Sequence, residues 1–546
     1  MHRSELLVPA GSLEKLKVAL LYGADAIYMG TPDMSLRTRS QFSLEQVIEG
    51  VRLVHAHGKK AYLTLNLFSH NRDIEKLPLF IETIRKVRPD GVIIADPGVF
   101  QFVKENAPDL EIHISTQANV CSYLSVDFWK KMGADLVVLA REVSFHELTE
   151  IRTRCPDVKL EVFIHGAMCM TYSGRCLLSN FLAQRGANQG NCTNSCRWQY
   201  KMHVALPDGT LEELTLTDEN KDLFRFFLEE KERPGEFFPI EEDEKGAYIL
   251  NSKDLCLMPH LEAILQNKID SLKIEGRNRS AYYVAVTTRA YRQAIDAFYK
   301  DPDHWSPDPY MQELRTIPVR GYTHAFHEGR LTHHAHDYEG TNTLAAYEFA
   351  GLITEVTDDA FYLDVKNRIL SGDVLEFIAP SVRTPMRLRI YQFEDVRNDK
   401  TYEDAIHAGE KPLLKIPFAW LHEEDPARLA KDFPPYTIVR KRRMLSDQEQ
   451  QRLKMDLTAQ AVEMGQAPEA AYQKRLTHYK RTQKEAPPVS KGKGPALGRD
   501  GCCGCGCNGC LHFWHDPAFE QARAKLREKK PGELLTKQEY RGGLSG

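Results

Sequence analysis

Four cysteines, Cys169, Cys176, Cys192 and Cys196, stand in the pattern C-x6-C-x15-C-x3-C. Four soft thiolates from one stretch of chain suit tetrahedral zinc or the corner irons of an iron–sulfur cluster. Zinc knuckles pair cysteines two to four residues apart at both ends, and here only the second pair does so. The wider first gap, with Gly174 in it and Gly166, Gly186 and Gly190 around it, fits a loop wrapped on a larger cubane. The plain alternative is four buried apolar cysteines. The radical-type C-x3-C-x2-C spacing is absent. A second group, Cys502, Cys503, Cys505, Cys507 and Cys510, is followed by His512 and His515 and sits behind the linker-like "KEAPPVSKGKGPALGRDG". Zinc, a second cluster or a redox relay all fit it, as does an exposed, oxidisable tail.

Twelve cysteines in a chain of 546 residues suggest metal rather than disulfides if the compartment is reducing, and we expect a cytoplasmic protein. No window approaches the length of an apolar membrane span, and "MHRSELLVPAG" lacks the core of a signal peptide, so no membrane partner is expected. The net charge of −4 neither favours nor excludes nucleic acid.

The elements that must position these residues repeat one pattern over the first 280 residues: an aliphatic run, a loop, a helical segment. Eight runs occur, at 6–10, 26–30, 61–66, 91–96, 111–116, 135–140, 160–165 and 271–276. Exits such as "YGADAIYMG", "RPDGVIIAD" and "NKIDSLKIEG" place Gly or Asp before a buried parallel strand. Eight such units predict an α/β fold, a (β/α)8 TIM-like barrel, over residues 1–300. Residues just after each strand then share one mouth, which nominates Asn66, Asp96, Gln117, Arg141, His165 and Glu275. Each has the alternative of a helix cap or a satisfied loop contact. The metal-binding cysteines fall in a long insert, 166–256, between the seventh and eighth runs. A linker is expected over 301–339, and a small all-β barrel-like domain over 340–445. A helical segment and linker (446–495) and a Cys-rich extension (496–546) complete the division.

The stretch "EVFIHGAMCMTYSGRCLLS" resembles the signature of peptidase family U32, through Glu161, Phe163, Gly166, Ala167, Met168, Cys169, Gly174, Cys176 and Ser179. The resemblance continues through "NQGNCTNSCRWQY" and "DSLKIEGRNRSAYYVA" and covers roughly residues 5 to 440. Within the family it is nearest the prephenate-dependent tRNA uridine hydroxylase branch. It implies an iron–sulfur tRNA-modifying enzyme that makes 5-hydroxyuridine at the wobble position, with a 4Fe-4S cluster on Cys169, Cys176, Cys192 and Cys196. Cys256 is the alternative to Cys196 as fourth ligand, unless it is a buried helix cysteine.

Prephenate, a dicarboxylate, needs cations, and Arg141, Arg175, Lys273 and Arg277 are the candidates, with Arg279 nearby. Asn66, Gln117, His165 and Glu275 are the candidate catalytic side chains. Strand alternation puts Lys273 and Glu275 on one side, where they can pair with each other. For tRNA, "CRWQYK" (196–201) and "RKRR" (440–443) offer cations, the first with aromatic rings; the second is also an ordinary solvated charge run. Three other functions share these motifs. A peptidase would need Cys169 beside His165 as a free thiolate, and H-E-x-x-H and G-x-S-x-G are both absent. Hydroxylation of ribosomal RNA cytidine and an RNA-binding protein with a purely structural cluster are the others.

Overall fold

The computed structural model describes residues 2–30, 42–66, 69–168, 252–329, 335, 345–421, 425–463 and 466–485, with short strand segments between 203 and 248. Cys169, Cys176, Cys192, Cys196, Arg175, the "CRWQYK" segment and the cysteines of the 502–510 group lie outside the described residues.

The eight aliphatic runs are eight parallel strands: β1 (Glu5–Ala10), β2 (Ala26–Gly30), β3 (Lys60–Leu65), β4 (Gly91–Ile94), β5 (Glu111–Ile114), β6 (Leu136–Val138), β7 (Lys159–Ala167) and, after the insert, β9 (Ser271–Ile274). Each pairs with the next, and β9 pairs with both β1 and β7, so the sheet closes into a barrel. The aspartates of the strand entries have a common task. Asp25, Asp90, Asp135 and Asp270 accept the N–H of Leu6, Ala61, Ile112 and Leu160 at 3.0, 2.8, 2.8 and 2.9 Å. Each ties the base of one strand to its neighbour and satisfies a donor that the ladder leaves open.

Helices α1 (Leu13–Leu21), α2 (Leu44–Ala56), α3 (Leu77–Val87), α4 (Pro97–Asn106), α5 (Tyr123–Met132), α6 (Phe145–Arg154), α7 (Leu261–Gln266) and α8 (Ala281–Lys300) follow the strands. Serine caps start α1, α2, α5, α6 and α8. Asp96, nominated for the mouth, caps α4 instead, accepting the N–H of Gly98 and Val99.

Two segments depart from expectation. Cys256 is not in a helix: Asp254–Cys256 forms strand β8, antiparallel to β7, with Cys256 opposite His165. Of the expected linker 301–339, the described residues 301–329 are no free linker either. They hold a helix, Asp308–Leu314, and strand β10 (Tyr322–Thr323), which adds to β8. Met311, Leu314, Ile317 and Tyr322 are buried in the barrel's own core, which is the physical reason this stretch is held in place.

The β-rich domain is a curled eight-stranded antiparallel sheet with a separate core that includes Phe361, Phe377, Phe393, Phe418 and Phe433. It docks on α8 and on Tyr22 at the end of α1 through buried polar contacts. Arg289 Nε donates to Ala379 O at 2.9 Å, Tyr22 Oη donates to Ile378 O at 2.6 Å, and Ile438 N donates to Tyr22 Oη at 2.9 Å. The "RKRR" strip is mostly part of this framework rather than a free basic surface. Arg440 is buried on Glu376 and Thr316, Lys441 pairs with Glu348 and Asp373, and Arg443 pairs with Glu449. Only Arg442 of the four is exposed and without an ion pair among the described residues.

Candidate active site

The barrel interior is polar at its base. Glu161 on β7 accepts Lys273 Nζ at 2.7 Å and Ser271 Oγ at 2.9 Å, both from β9. Lys273 therefore pairs with Glu161 and not with Glu275. The reason is register: Ser271 lies opposite Glu161 and Lys273 opposite Phe163, while a bulge after Lys273 shifts the pairing of the residues beyond it. Below them Glu5 accepts a hydrogen bond from Tyr62 Oη at 3.4 Å, and burial with Glu161 nearby pushes its carboxyl up to about 7.

Around the paired Lys273 three cations come together. Arg141 lies 4.0 Å over the Phe163 ring and Lys273 5.4 Å over the same ring. Lys273 also lies 4.6 Å from the Tyr28 ring centre, and Arg277 5.7 Å. Arg277 Nη1 donates to Thr64 Oγ1 at 2.8 Å, which places it beside the end of β3. Burial and the two neighbouring guanidiniums push the Lys273 ammonium down, while Glu161 pushes it up. Two rings thus form a floor under three cations at the C-terminal face, where a barrel presents its loops.

Several buried polar atoms at that face have no partner among the described residues. They include Asn66 Oδ1 just after β3, Gln117 Nε2 and Asn119 after β5, and Arg141 Nε after β6. Ser115 Oγ donates to Gln117 Oε1 at 3.3 Å, so the amide's free end is its donor. Unsatisfied buried polar groups are costly, and here they gather at the mouth. The sequence nominated Asn66, Gln117 and Arg141; it missed Asn119, whose left-handed backbone (φ 53°) ends a short 3-10 turn. "TQAN" at a strand exit was the available signal.

His165 is placed differently from expectation. It is fully buried against Tyr283 and Tyr291 of α8 and Tyr322 of β10, and burial pushes its imidazole down to about 3. The bulge between β7 and β9 and the antiparallel β8 hold it against the helix layer. Its neighbour Cys256 is buried too, its thiol pushed up to about 11 by desolvation and placed against Tyr291 and Met311. A neutral thiol beside a neutral imidazole, both closed to solvent, offers no free thiolate, and the Cys169 that the peptidase reading pairs with His165 lies outside the described residues. Arg279 is committed to Asp254, at 2.7 Å, which Arg320 holds from the other side.

Glu275 ends β9 beside Gly166, and these two strand ends pass closely. Glu275 N donates to His165 O at 2.8 Å. Gly166 has φ +126°, and a Cβ there would lie 2.6 Å from Glu275 Cβ and 2.7 Å from its carbonyl oxygen. The chain leaves the barrel at this point: Met168 is buried and Cys169 is next in sequence.

A closed parallel barrel with a cationic, incompletely satisfied mouth defines a (β/α)8 enzyme. The chain belongs to peptidase family U32, whose model matches residues 11–337. The chain is similar to tRNA hydroxylation protein P of Escherichia coli (strain K12), at 39% identity over 457 residues, 79% of this chain and 98% of that protein. It is 35% identical to tRNA hydroxylation protein P1 of Bacillus subtilis (strain 168) over 384 residues, 70% of this chain and 84% of that protein. It is 31% identical to the 23S rRNA 5-hydroxycytidine C2501 synthase of E. coli (strain K12) over 383 residues, 69% of this chain and 53% of that protein. No described helix is long and apolar enough to cross a membrane.

Proposed function

We propose that this protein hydroxylates tRNA, converting the wobble uridine to 5-hydroxyuridine with prephenate as cosubstrate and a 4Fe-4S cluster on Cys169, Cys176, Cys192 and Cys196. The observation that carries the reading is the mouth, where three cations over two aromatic rings lie at the same face as amide groups unpartnered among the described residues. The match to proteins named for tRNA hydroxylation, over nearly the full length of the E. coli one, supports tRNA over ribosomal RNA.

A dicarboxylate is recognised by planar guanidinium forks in a site with little water, which Arg141 and Arg277 supply, with Lys273 beside them held on Glu161. Asn66 offers an unpaired acceptor and Gln117 an unpaired donor, the complement of the uracil imide N–H and an adjacent carbonyl. The four cysteines form a donor set of thiolates, and a cluster held there would supply the electron-transfer chemistry that side chains lack. The second cysteine group, Cys502 to Cys510, is proposed to hold a further metal, and the setting is proposed to be the cytoplasm. His165, sealed against three tyrosines, supports this reading by its place in the wall rather than by contact with substrate.

Nucleoside mass spectrometry of tRNA from cells with the gene, without it and with Cys169→Ala tests the proposal. Loss of 5-hydroxyuridine in the latter two is expected, and its persistence in both would overturn the reading. Loss of a ribosomal 5-hydroxycytidine instead would move the substrate to ribosomal RNA.

A further inference from the structure

Away from the mouth, three stretches of chain meet around Phe145. His260 follows β8, His324 and Glu328 flank the 3-10 turn Ala325–Glu328, and Glu463 ends the helix Asp447–Glu463 beyond the β-rich domain. His260 Nε2 lies 3.3 Å from Glu328 Oε1, and His324 Nε2 lies 3.6 Å from Glu328 Oε2. His324 Nε2 is also 3.8 Å from Glu463 Oε1, which is itself fixed by a hydrogen bond from Thr323 Oγ1. One ligand atom from each of His260, His324 and Glu328 lies within 4.8 Å of the others. His260 and His327 both pack on the Phe145 ring, with centroids at 4.9 and 5.0 Å, and His260 Nε2 has no hydrogen-bond partner among the described residues.

Hydrogen bonding does not explain this approach, because His260 Nε2 stands at ion-pair distance from Glu328 with no hydrogen bond formed. Metal ligation does. Two donors each about 2.0–2.1 Å from a tetrahedral zinc are separated by about 3.3–3.4 Å along an edge of the tetrahedron. The two imidazole nitrogens lie 3.3 and 3.6 Å from the two oxygens of one carboxylate, close to such an edge length, and the ligand atoms stay within 4.8 Å of one another. Nitrogen and oxygen donors without a thiolate distinguish this place from both cysteine groups.

We infer that His260, His324 and Glu328 bind a divalent transition-metal ion of the zinc class, with Glu463 or water as fourth ligand. The ion would clamp the β8–α7 connection, the β10 segment and the C-terminal helix to one another. It lies on residues that the hydroxylation proposal does not use, so it stands or falls separately.

The test uses untagged, full-length protein equilibrated with Zn2+ and freed of excess, compared with Glu328→Gln and His260→Gln. Glu328 is 46% exposed, and its replacement is isosteric, so the fold should survive. Elemental analysis should find one zinc ion fewer per chain in each variant. The zinc absorption edge of the unaltered protein should show a nitrogen and oxygen shell that the variants lack. Zinc should raise the thermal midpoint of the unaltered protein by about 2–5 °C and that of Glu328→Gln by less. Equal zinc content in all three proteins, or a shell of sulfur alone, would overturn the inference.

Discussion

Arg141 and Arg440 are both buried arginines stacked on a ring, Arg141 4.0 Å over Phe163 and Arg440 4.3 Å over Tyr347. Their surroundings differ. Arg440 Nε meets Glu376 at 2.9 Å and its Nη1 meets Thr316 Oγ1 at 2.8 Å, at the seam between barrel and β-rich domain. Arg141 Nε has no partner among the described residues, and its neighbours Lys273 and Arg277 are cations. A buried arginine with its carboxylate in place is part of the frame; one stacked among cations is, in the proposed function, the one that would meet an anion.

The contrast breaks most sharply at Arg440. Arg440→Ala leaves the buried Glu376 only the exposed Arg387 as ion-pair partner, and should lower stability by about 3 kcal/mol in chemical denaturation. Arg141→Ala should leave the denaturation midpoint nearly unchanged while cutting 5-hydroxyuridine in complemented cells by roughly ten- to a hundredfold, about 1.4–2.8 kcal/mol. If instead Arg141→Ala destabilises as much as Arg440→Ala, Arg141 belongs to the frame and the comparison fails.

Two smaller effects sharpen the division between wall and mouth. Gly166→Ala forces a Cβ onto Glu275 at a left-handed backbone and should cost about 1–3 kcal/mol, read as a lower thermal midpoint. Glu5 tests the barrel base. Its folded carboxyl titrates near 7 against 4.5 unfolded, so the folded state holds the extra proton between those values. Stability from this group is full below pH 4.5 and falls as pH rises to 7. His165 acts oppositely, its imidazole held near 3 against 6.5, so that its contribution is lost as pH falls through 6.5 towards 3. Glu5→Gln should therefore remove a decline of roughly 1–3 kcal/mol between pH 4.5 and 7, measured as the difference between the two denaturation profiles. A parallel pair of profiles would show that Glu5 is ionised in the fold.

The eight strands were legible because a buried parallel strand is an unbroken aliphatic run, and each of the runs became one. Their polar exits were legible for the same reason: Asn66, Gln117, Arg141 and Glu275 all end or follow barrel strands. Pairing was not. Lys273 meets Glu161 rather than Glu275, "RKRR" is largely neutralised by residues distant in sequence, and Asp96 caps a helix. His165 shows the limit most clearly, since alternation along β7 aims it inward and a single bulge, with β8 laid antiparallel, seals it among tyrosines. The grouping of His260, His324, Glu328 and Glu463 could not be read at all from residues so far apart along the chain. Sequence by itself determined the barrel, its open face and the cysteine-bearing stretch that follows β7 in sequence, because these arise from local patterns of burial and residue type. Tertiary structure alone decided which charges are paired and with which partner, because a Coulomb partner is set by distance in space and not by distance along the chain.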